Sequence, residues 1–387
     1  MLQTKVGLPQ MKLLLITNAP TPYRVPLFNE LHAQLDARGI MLRVVFASMG
    51  YGRRLWTFDM SECRFDYAVL GSRGLALRGN VEHTMFAYTG LRAQLDRFRP
   101  DLVIVTGFSM ATMQLWRSRR PYIIWTGSLR SRSPVRRFQR KVLVRGAAGF
   151  IAYGTRARDY LIELGAPADR ISIAINTVDT QFFRDAARVH RDMYRLDGAV
   201  PRFLYVGYLT ERKRVDRILD AAALLARTRA DFIIDIVGDG DARASLEAHA
   251  SSLGLRDRVV FHGYRQRHEL PELFARSRCL LFSSEYEVWG LVLNEAMASG
   301  IPAIASVSAG ATDDLIVHKE TGFAVDFADP HAVAGTMEWM LDHSAAAAQV
   351  GTRAQRFIDE HASIRRSAGG FIAAVDIAVG SNTLAAR

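Results

Sequence analysis

Short apolar runs, each closed by Gly, Ser, Asn or Asp, recur along the chain and alternate with stretches of helical period. Alternation of this kind predicts βα units wound into parallel sheets, whose strands are buried on both faces and so read as nearly continuous apolar runs. The runs fall into two batches: 11–17, 42–47, 101–107, 122–127, 150–154 and 171–176, then 202–207, 232–238, 259–263, 279–284, 302–307 and 322–325. Between the batches, 177–201 is polar and charged and ends in Gly198 and Pro201, which predicts an interdomain linker with one short helical turn. The expected fold class is α/β: two doubly wound, Rossmann-like domains over 1–190 and 191–362, facing a cleft that holds the ligand at the carboxyl ends of the strands. Helical composition after residue 363 predicts a closing helix within 363–387 that packs back on the first domain, and residues 1–10 read as a loose tail.

Length agrees with two cores, because 387 residues exceed what one core usually supports. Hydrophobic residues at 49% and charged residues at 23% exclude a largely disordered chain. The sequence contains no apolar run of the roughly 18 to 20 residues that cross a bilayer, and no basic flank with an apolar run at its start, so a soluble protein without a conventional export signal is expected. Cys63 and Cys279 stand far apart and outside metal-ligand spacing, which argues against a disulfide framework or zinc site and fits a reducing cytoplasm. Arginine supplies most of a net charge of +11. Part of that charge is clustered, since Arg130, Arg132, Arg136, Arg137, Arg140, Lys141 and Arg145 share a segment with Val135, Phe138, Val142, Leu143 and Val144. A basic amphipathic stretch from Arg136 to Arg145 suits an anionic membrane surface or a polyanionic acceptor; ordinary solvated charge is the alternative, and no nucleic-acid partner is expected.

The densest chemistry lies in 284–302, Ser-Glu-Tyr-Glu-Val-Trp-Gly-Leu-Val-Leu-Asn-Glu-Ala-Met-Ala-Ser-Gly-Ile-Pro. Glu287 falls in a loop after a strand, Gly290 at the turn into a helix, and Glu295 within that helix. A helix N-terminus offers free amides and partial positive charge to a diphosphate, and carboxylates on either side accept hydrogen bonds from the hydroxyls of the flanking sugars.

The spacing Glu287-x7-Glu295, with Trp289-Gly290-Leu291 and the Glu-Ala-Met-Ala-x-Gly-x-Pro tail, resembles the signature of glycosyltransferase family 4, the retaining group 1 enzymes of GT-B fold. The resemblance implies that Glu287 binds hydroxyls of the donor sugar, Glu295 the ribose, and the amides of Gly290, Leu291 and Val292 the diphosphate. A second segment, 203–215, is similar to the family's Val-Gly-x-Leu-x-x-x-Lys motif, with Gly207 at the turn and Arg212 and Lys213 as the cations for the leaving nucleoside diphosphate. It departs from the commonest form, which has Arg where Tyr208 stands and Gly where Arg214 stands. Tyr264, after His262-Gly263, lies where the family contacts the nucleobase.

Two other readings of 236–241 are weaker. Gly238-x-Gly240 lacks the third glycine of a dinucleotide fingerprint, and Asp239-x-Asp241 in a glycine turn reads as turn formers, so no metal and no cofactor beyond the sugar-nucleotide substrate are predicted. In the first domain, the loop 17–26 has prolines where many relatives have glycines, and Tyr23 and Arg24 are expected to face the cleft. The histidine that relatives place after the strand 121–126 is Gly127 here; Ser128 or Arg130 are candidates to contact sugar or phosphate in its stead, and His83, read at a helix start, is a weaker one.

These features predict a retaining transferase that moves a hexosyl group from a UDP- or GDP-sugar to a hydroxyl of a lipid-linked or polysaccharide glycan, in envelope or exopolysaccharide synthesis, at the inner face of the cytoplasmic membrane. The alternatives are a non-catalytic nucleotide-sugar-binding partner subunit, motivated by Gly127, and a nucleotide-sugar epimerase of the same fold.

Overall fold

The computed structural model describes residues 11–50, 59–72, 74–77, 80–193 and 200–380, with backbone alone over 74–77 and 80–85. The tail expected over 1–10, Gly198 and the last residues of the chain lie outside the described residues. Two compact units result: 1–175 with 364–387, and 176–363.

In the first unit, β1 (Lys12–Thr17), β2 (Met41–Phe46), β3 (Asp66–Val69), β6 (Leu102–Thr106), β7 (Tyr122–Thr126), β8 (Gly149–Ala152) and β9 (Ile171–Ile173) form a parallel sheet in the order β3-β2-β1-β6-β7-β8-β9. A separate antiparallel pair, β4 (Gly74–Leu77) and β5 (Asn80–Phe86), carries His83 on a strand rather than at a helix start. Helices α1 (Val25–Asp36), α2 (Leu91–Phe98), α3 (Met110–Arg117), α4 (Pro134–Arg145) and α5 (Thr155–Glu163) connect the strands.

The strand side chains alternate between two cores. Leu14, Ile16, Val103, Val105, Ile124 and Phe150 pack with buried residues of α2 to α5. On the opposite face Trp125 meets Phe28 of α1 at 6.1 Å and Phe371 at 4.9 Å between ring centroids. Phe371 belongs to the terminal helix, Ile364–Gly380, which packs on α1, β8 and β9 and so joins the first unit. Gly370 permits that approach, since a Cβ there would lie 2.5 Å from the Ile173 carbonyl.

The second unit begins at Asn176. The linker expected over 177–201, and with it the division at 190/191, gives way to α6 (Thr180–Met193), whose buried Thr180, Phe183 and Ala187 face α9 and α10. Its remaining positions are mostly polar, so the narrow apolar stripe is easily missed in sequence. Six parallel strands, β10 (Arg202–Val206), β11 (Ile233–Val237), β12 (Val259–Gly263), β13 (Cys279–Phe282), β14 (Ala303–Ser306) and β15 (Phe323–Val325), are ordered β12-β11-β10-β13-β14-β15. The helices are α7 (Val215–Leu225), α8 (Arg243–Ser252), α9 (Leu270–Arg276), α10 (Leu291–Ala298), α11 (Thr312–Leu315), α12 (Pro330–Asp342) and α13 (Ser344–His361), and the terminal helix of the first unit is α14. One face of the sheet packs with α7, α8, α12 and α13 through Ile218, Leu246, Met337 and Val350. Strand order reverses between β10 and β13, which makes the loops after these strands the natural ligand crevice of the unit. Among the described residues no helix is long and apolar enough to cross a membrane.

Candidate active site

In the second unit, glycines bring the loops after β10 and β11 into backbone contact. A Cβ on Gly238 (φ 139°) would sit 1.9 Å from the Gly207 carbonyl, and one on Gly240 (φ 157°) 2.3 Å from that of Leu209. Leu209 N–H donates to the Asp239 carbonyl at 3.0 Å, and Asp239 accepts from Gly240 N–H at 2.8 Å, so Asp239 shapes a turn. Among the described residues no group of three or more His, Cys, Asp or Glu is arranged to hold a metal ion.

The loop after β10 is also fastened to the loop after β13. Ser283 Oγ donates to the Lys213 carbonyl at 2.7 Å, and Glu285 N–H donates to the Arg212 carbonyl at 3.0 Å. This backbone stitching places both cations on one carboxylate: Lys213 Nζ and Arg212 Nη1, the latter at 3.2 Å, donate to Oε2 of Glu287. Arg212 Nη1 also reaches the Tyr286 carbonyl at 2.9 Å. Lys213 and Glu287 are largely buried, with 12% and 14% of their side chains exposed. Burial alone pushes the Glu287 carboxyl up, but Lys213 and Arg212 outweigh it and hold it below the usual range, as an anion. The loop after β14 clamps the Glu287 backbone from the other side, through Gly310 N–H to its carbonyl at 2.9 Å and a bridge to Ala309. Gly310 is required there, because a Cβ would meet the Val288 carbonyl at 2.2 Å.

Gly290, at φ 96°, turns the chain into α10; any side chain there would strike the Phe282 ring. No side chain caps α10, so its N-terminus presents the backbone around Leu291 and Val292 to whatever the crevice binds. Trp289 Nε1 donates to Asn294 Oδ1 at 3.0 Å, fixing the turn on the helix it starts. Glu295 lies one turn farther on in α10, its carbonyl accepting from Ser299 N–H at 2.9 Å. Burial pushes its carboxyl up to about 7, with Arg267 pulling the other way. Arg267 is itself held 4.2 Å over the Phe182 ring and 3.4 Å from Asp179. Tyr264 follows β12, half-buried, its phenol raised by burial and by the neighbouring Tyr208. The second unit therefore brings together Arg212, Lys213 and Glu287, and places Gly207 on the loop after β10, Gly290 at the turn into α10, and Leu291 and Val292 in the first turn of that helix.

The basic segment after β10 departs from the family pattern at Arg214, yet the backbone there is left-handed at φ 51°, the conformation for which glycine is commonest. Arg214 is fixed instead by Asp216 at 2.7 Å and Glu285 at 3.2 Å.

In the first unit, Arg24 precedes α1 with its guanidinium donating to Thr17 Oγ1 at 2.5 Å and the Tyr153 hydroxyl at 3.0 Å, 4.7 Å above the Trp125 ring. These partners come from the carboxyl ends of β1, β7 and β8. Tyr153 also explains Gly127: a Cβ at 127 would lie 2.4 Å from the Tyr153 ring, which fills the space a histidine side chain would take. Neither Thr17 nor Tyr153 carried a sequence signal as a holder of Arg24. Tyr23 is partly buried beside this group. Ser128 N–H bonds back to Thr126 Oγ1 at 2.9 Å, and Arg130 pairs with Glu163 at 3.1 Å, which engages its guanidinium on the helix α5.

The basic segment that ends in α4 divides its charges. Arg137 bonds Glu163 and Arg140 bonds the Leu129 carbonyl and Tyr160 hydroxyl, whereas Arg132, Arg136, Lys141 and Arg145 are exposed. Val135 and Phe138 stand among them 77% and 71% exposed.

Two family models match the chain: the one described as glycosyl transferases group 1 over residues 188–357, and the glycosyl transferase 4-like domain over 26–177. The chain is 32% identical over 214 residues to an alpha-D-kanosaminyltransferase of Streptomyces kanamyceticus, covering 54% of this chain and 55% of that protein. It is 36% identical over 174 residues to a GDP-mannose-dependent alpha-mannosyltransferase of Mycobacterium tuberculosis, covering 44% and 42%. The chain thus spans about half the length of the curated relatives it matches. Among solved structures, Anabaena HepE in complex with UDP superposes with a TM-score of 0.74 at 18% identity, over 95% of this chain and 100% of that one. Sucrose-phosphate synthase from Thermosynechococcus elongatus gives 0.74 at 20% identity, over 93% and 97%. With the two family models spanning most of the chain and the two parallel-sheet units matching GT-B structures throughout, the chain belongs to the group 1 glycosyltransferases of family 4, with the GT-B fold.

Proposed function

We propose that the protein transfers a hexosyl group from a nucleoside-diphosphate sugar to a hydroxyl of a glycan acceptor, with retention of configuration. The observation that carries this reading is the convergence of Lys213, Arg212 and Glu287 beside the uncapped N-terminus of α10, with Glu295 one turn farther along. In the proposed reaction the bond between the anomeric carbon and the phosphate oxygen breaks, the acceptor oxygen bonds to the same carbon on the same face, and its proton passes to the leaving phosphate oxygen. Lys213 and Arg212 stabilise the charge that grows on the diphosphate, so they act more strongly on the transition state than on the bound donor. Glu287 accepts hydrogen bonds from the transferred sugar and Glu295 from the ribose, while Gly207 and the amides at Gly290, Leu291 and Val292 make room for and bind the diphosphate. Tyr264 is assigned to the base. Neutralisation by two side-chain cations leaves no step in this proposal that calls on a metal.

Relatives support a sugar-nucleotide donor through their own substrates, since one is named for GDP-mannose and solved neighbours hold UDP or UDP-glucose. On the first unit, Arg24 and Tyr23 are assigned to the acceptor side. The acceptor class proposed is a lipid-linked or polysaccharide glycan of envelope or exopolysaccharide synthesis, reached from the cytoplasmic face of the membrane through α4.

The test is incubation of the purified protein with UDP-, GDP-, ADP- and dTDP-sugars, following thermal shift and products, with Lys213→Ala as control. A shift confined to one nucleotide class, lost in the variant and accompanied by a new glycoside, is the expected result. An epimerised donor would replace the transferase reading with an epimerase, and donor binding without any product in the presence of glycan acceptors would replace it with a binding subunit.

A further inference from the structure

The pairing of Glu287 with Lys213 and Arg212 has a consequence for which molecule the crevice prefers. The carboxylate already engages both cations through one oxygen, with Arg212 at 3.2 Å and Lys213 closer still. A diphosphate recruiting the same two cations competes with an anion tethered beside them. The Glu287 backbone cannot withdraw, because Gly310 N–H and Ala309 hold it from one side and Arg212 grips the Tyr286 carbonyl from the other. With the backbone held, the pair opens by side-chain rotation, of the glutamate or of the cations, and in either case the carboxylate loses its cations. A carboxylate released in a pocket this buried needs new donors, because an unpaired anion away from water is costly. Sugar hydroxyls supply them; a nucleoside diphosphate has none beyond its ribose.

We infer that Glu287 is a specificity-determining residue that penalises the nucleoside diphosphate product and compensates only the intact sugar donor, so that the site binds donor in preference to product. The inference rests on the donor-site reading above and deepens it. Chemically, Glu287 acts as an internal rival of the diphosphate until a sugar arrives to bind it. The effect belongs to this cluster of groups and needs no movement of the loop.

The experiment measures dissociation constants of UDP, GDP, ADP and dTDP, and of the matching sugar nucleotides, for the full chain, Glu287→Gln, Glu287→Ala and Lys213→Ala by calorimetry. Removing the rival carboxylate is expected to tighten the nucleoside diphosphate that binds by about tenfold, the scale of one charge-assisted hydrogen bond. Affinity for its sugar nucleotide should stay level or fall, so the donor-to-product preference drops tenfold or more. Tightening cannot arise from a damaged or unfolded site, which would lose affinity for both ligands; two substitutions of different size guard against one of them distorting the loop. Unchanged or weaker diphosphate binding in both Glu287 variants, with binding still dependent on Lys213, overturns the inference and leaves the donor site standing. Failure of every nucleotide to bind the unsubstituted chain overturns the donor site and the inference together.

Discussion

The backbone of Lys213 is held independently of its side chain, since Ser283 Oγ donates to its carbonyl and Glu285 N–H donates to that of the preceding Arg212. Lys213→Ala therefore removes a preorganised charge while leaving the loop in place, and kcat/KM is expected to fall by roughly 10² to 10³, as for loss of one transition-state donor. Glu295 makes the opposite kind of prediction. Its carboxyl is raised in the folded chain to about 7 from 4.5, so its contribution to stability is fully present below pH 4.5 and is lost as pH rises through 7. Glu295→Gln should then melt a few degrees above the unsubstituted chain at pH 8 and show little difference at pH 4.5, a range set by the size of the unit. If Glu295 holds the ribose as proposed, the same titration should govern donor affinity, because the ionised carboxylate is the form that accepts from both ribose hydroxyls. The donor KM should rise several-fold from pH 8 to pH 6, and steady-state kinetics of the glutamine variant should show that slope gone.

Strands were mostly legible in the sequence where their residues are apolar in nearly unbroken runs. All twelve apolar runs became strands with ends shifted by up to three residues, the largest shift being at β9, because a strand with mostly buried side chains leaves few polar positions to blur it. Strand β3 lies outside the predicted runs: it is four residues long, its Asp66 and Tyr67 are exposed, and its sequence therefore looks like loop. α6 was read as linker for the related reason that only three of its positions are buried. α4 is the element whose outward face asks for a partner. Val135 and Phe138 are exposed beside Arg132, Arg136, Lys141 and Arg145, which suits insertion of two apolar side chains among anionic lipid headgroups. Val135→Asp with Phe138→Asp should weaken sedimentation with phosphatidylglycerol vesicles at least tenfold while sparing soluble-donor binding, whereas undiminished vesicle binding would rule α4 out as the contact.

The chain as a whole crosses back on itself, leaving the first unit at Ile175 and returning to it with α14. Phe371 packs against Trp125, the side chain over which Arg24 is stacked, so the end of the sequence supports a group read from its beginning. Phe371→Ala is expected to cost the first unit about 3 to 5 kcal/mol, a usual range for a buried aromatic. Calorimetry should show one unfolding transition moving down while donor binding, assigned to the second unit, persists below it. Two separate cores make a single two-state transition the wrong description of this chain.

Amino-acid order alone determined the α/β class, the two batches of strands and the candidate donor residues, because burial on both sheet faces and the Glu287-x7-Glu295 spacing are local in the chain. Tertiary structure decided the partners. Lys213 meets Glu287 across 74 positions and Arg24 meets Tyr153 across 129, pairings that depend on parallel strands bringing distant loops to one sheet edge. The role of Gly127 was likewise undecidable from its neighbours: only the packed sheet sets the Tyr153 ring in the space a side chain there would need.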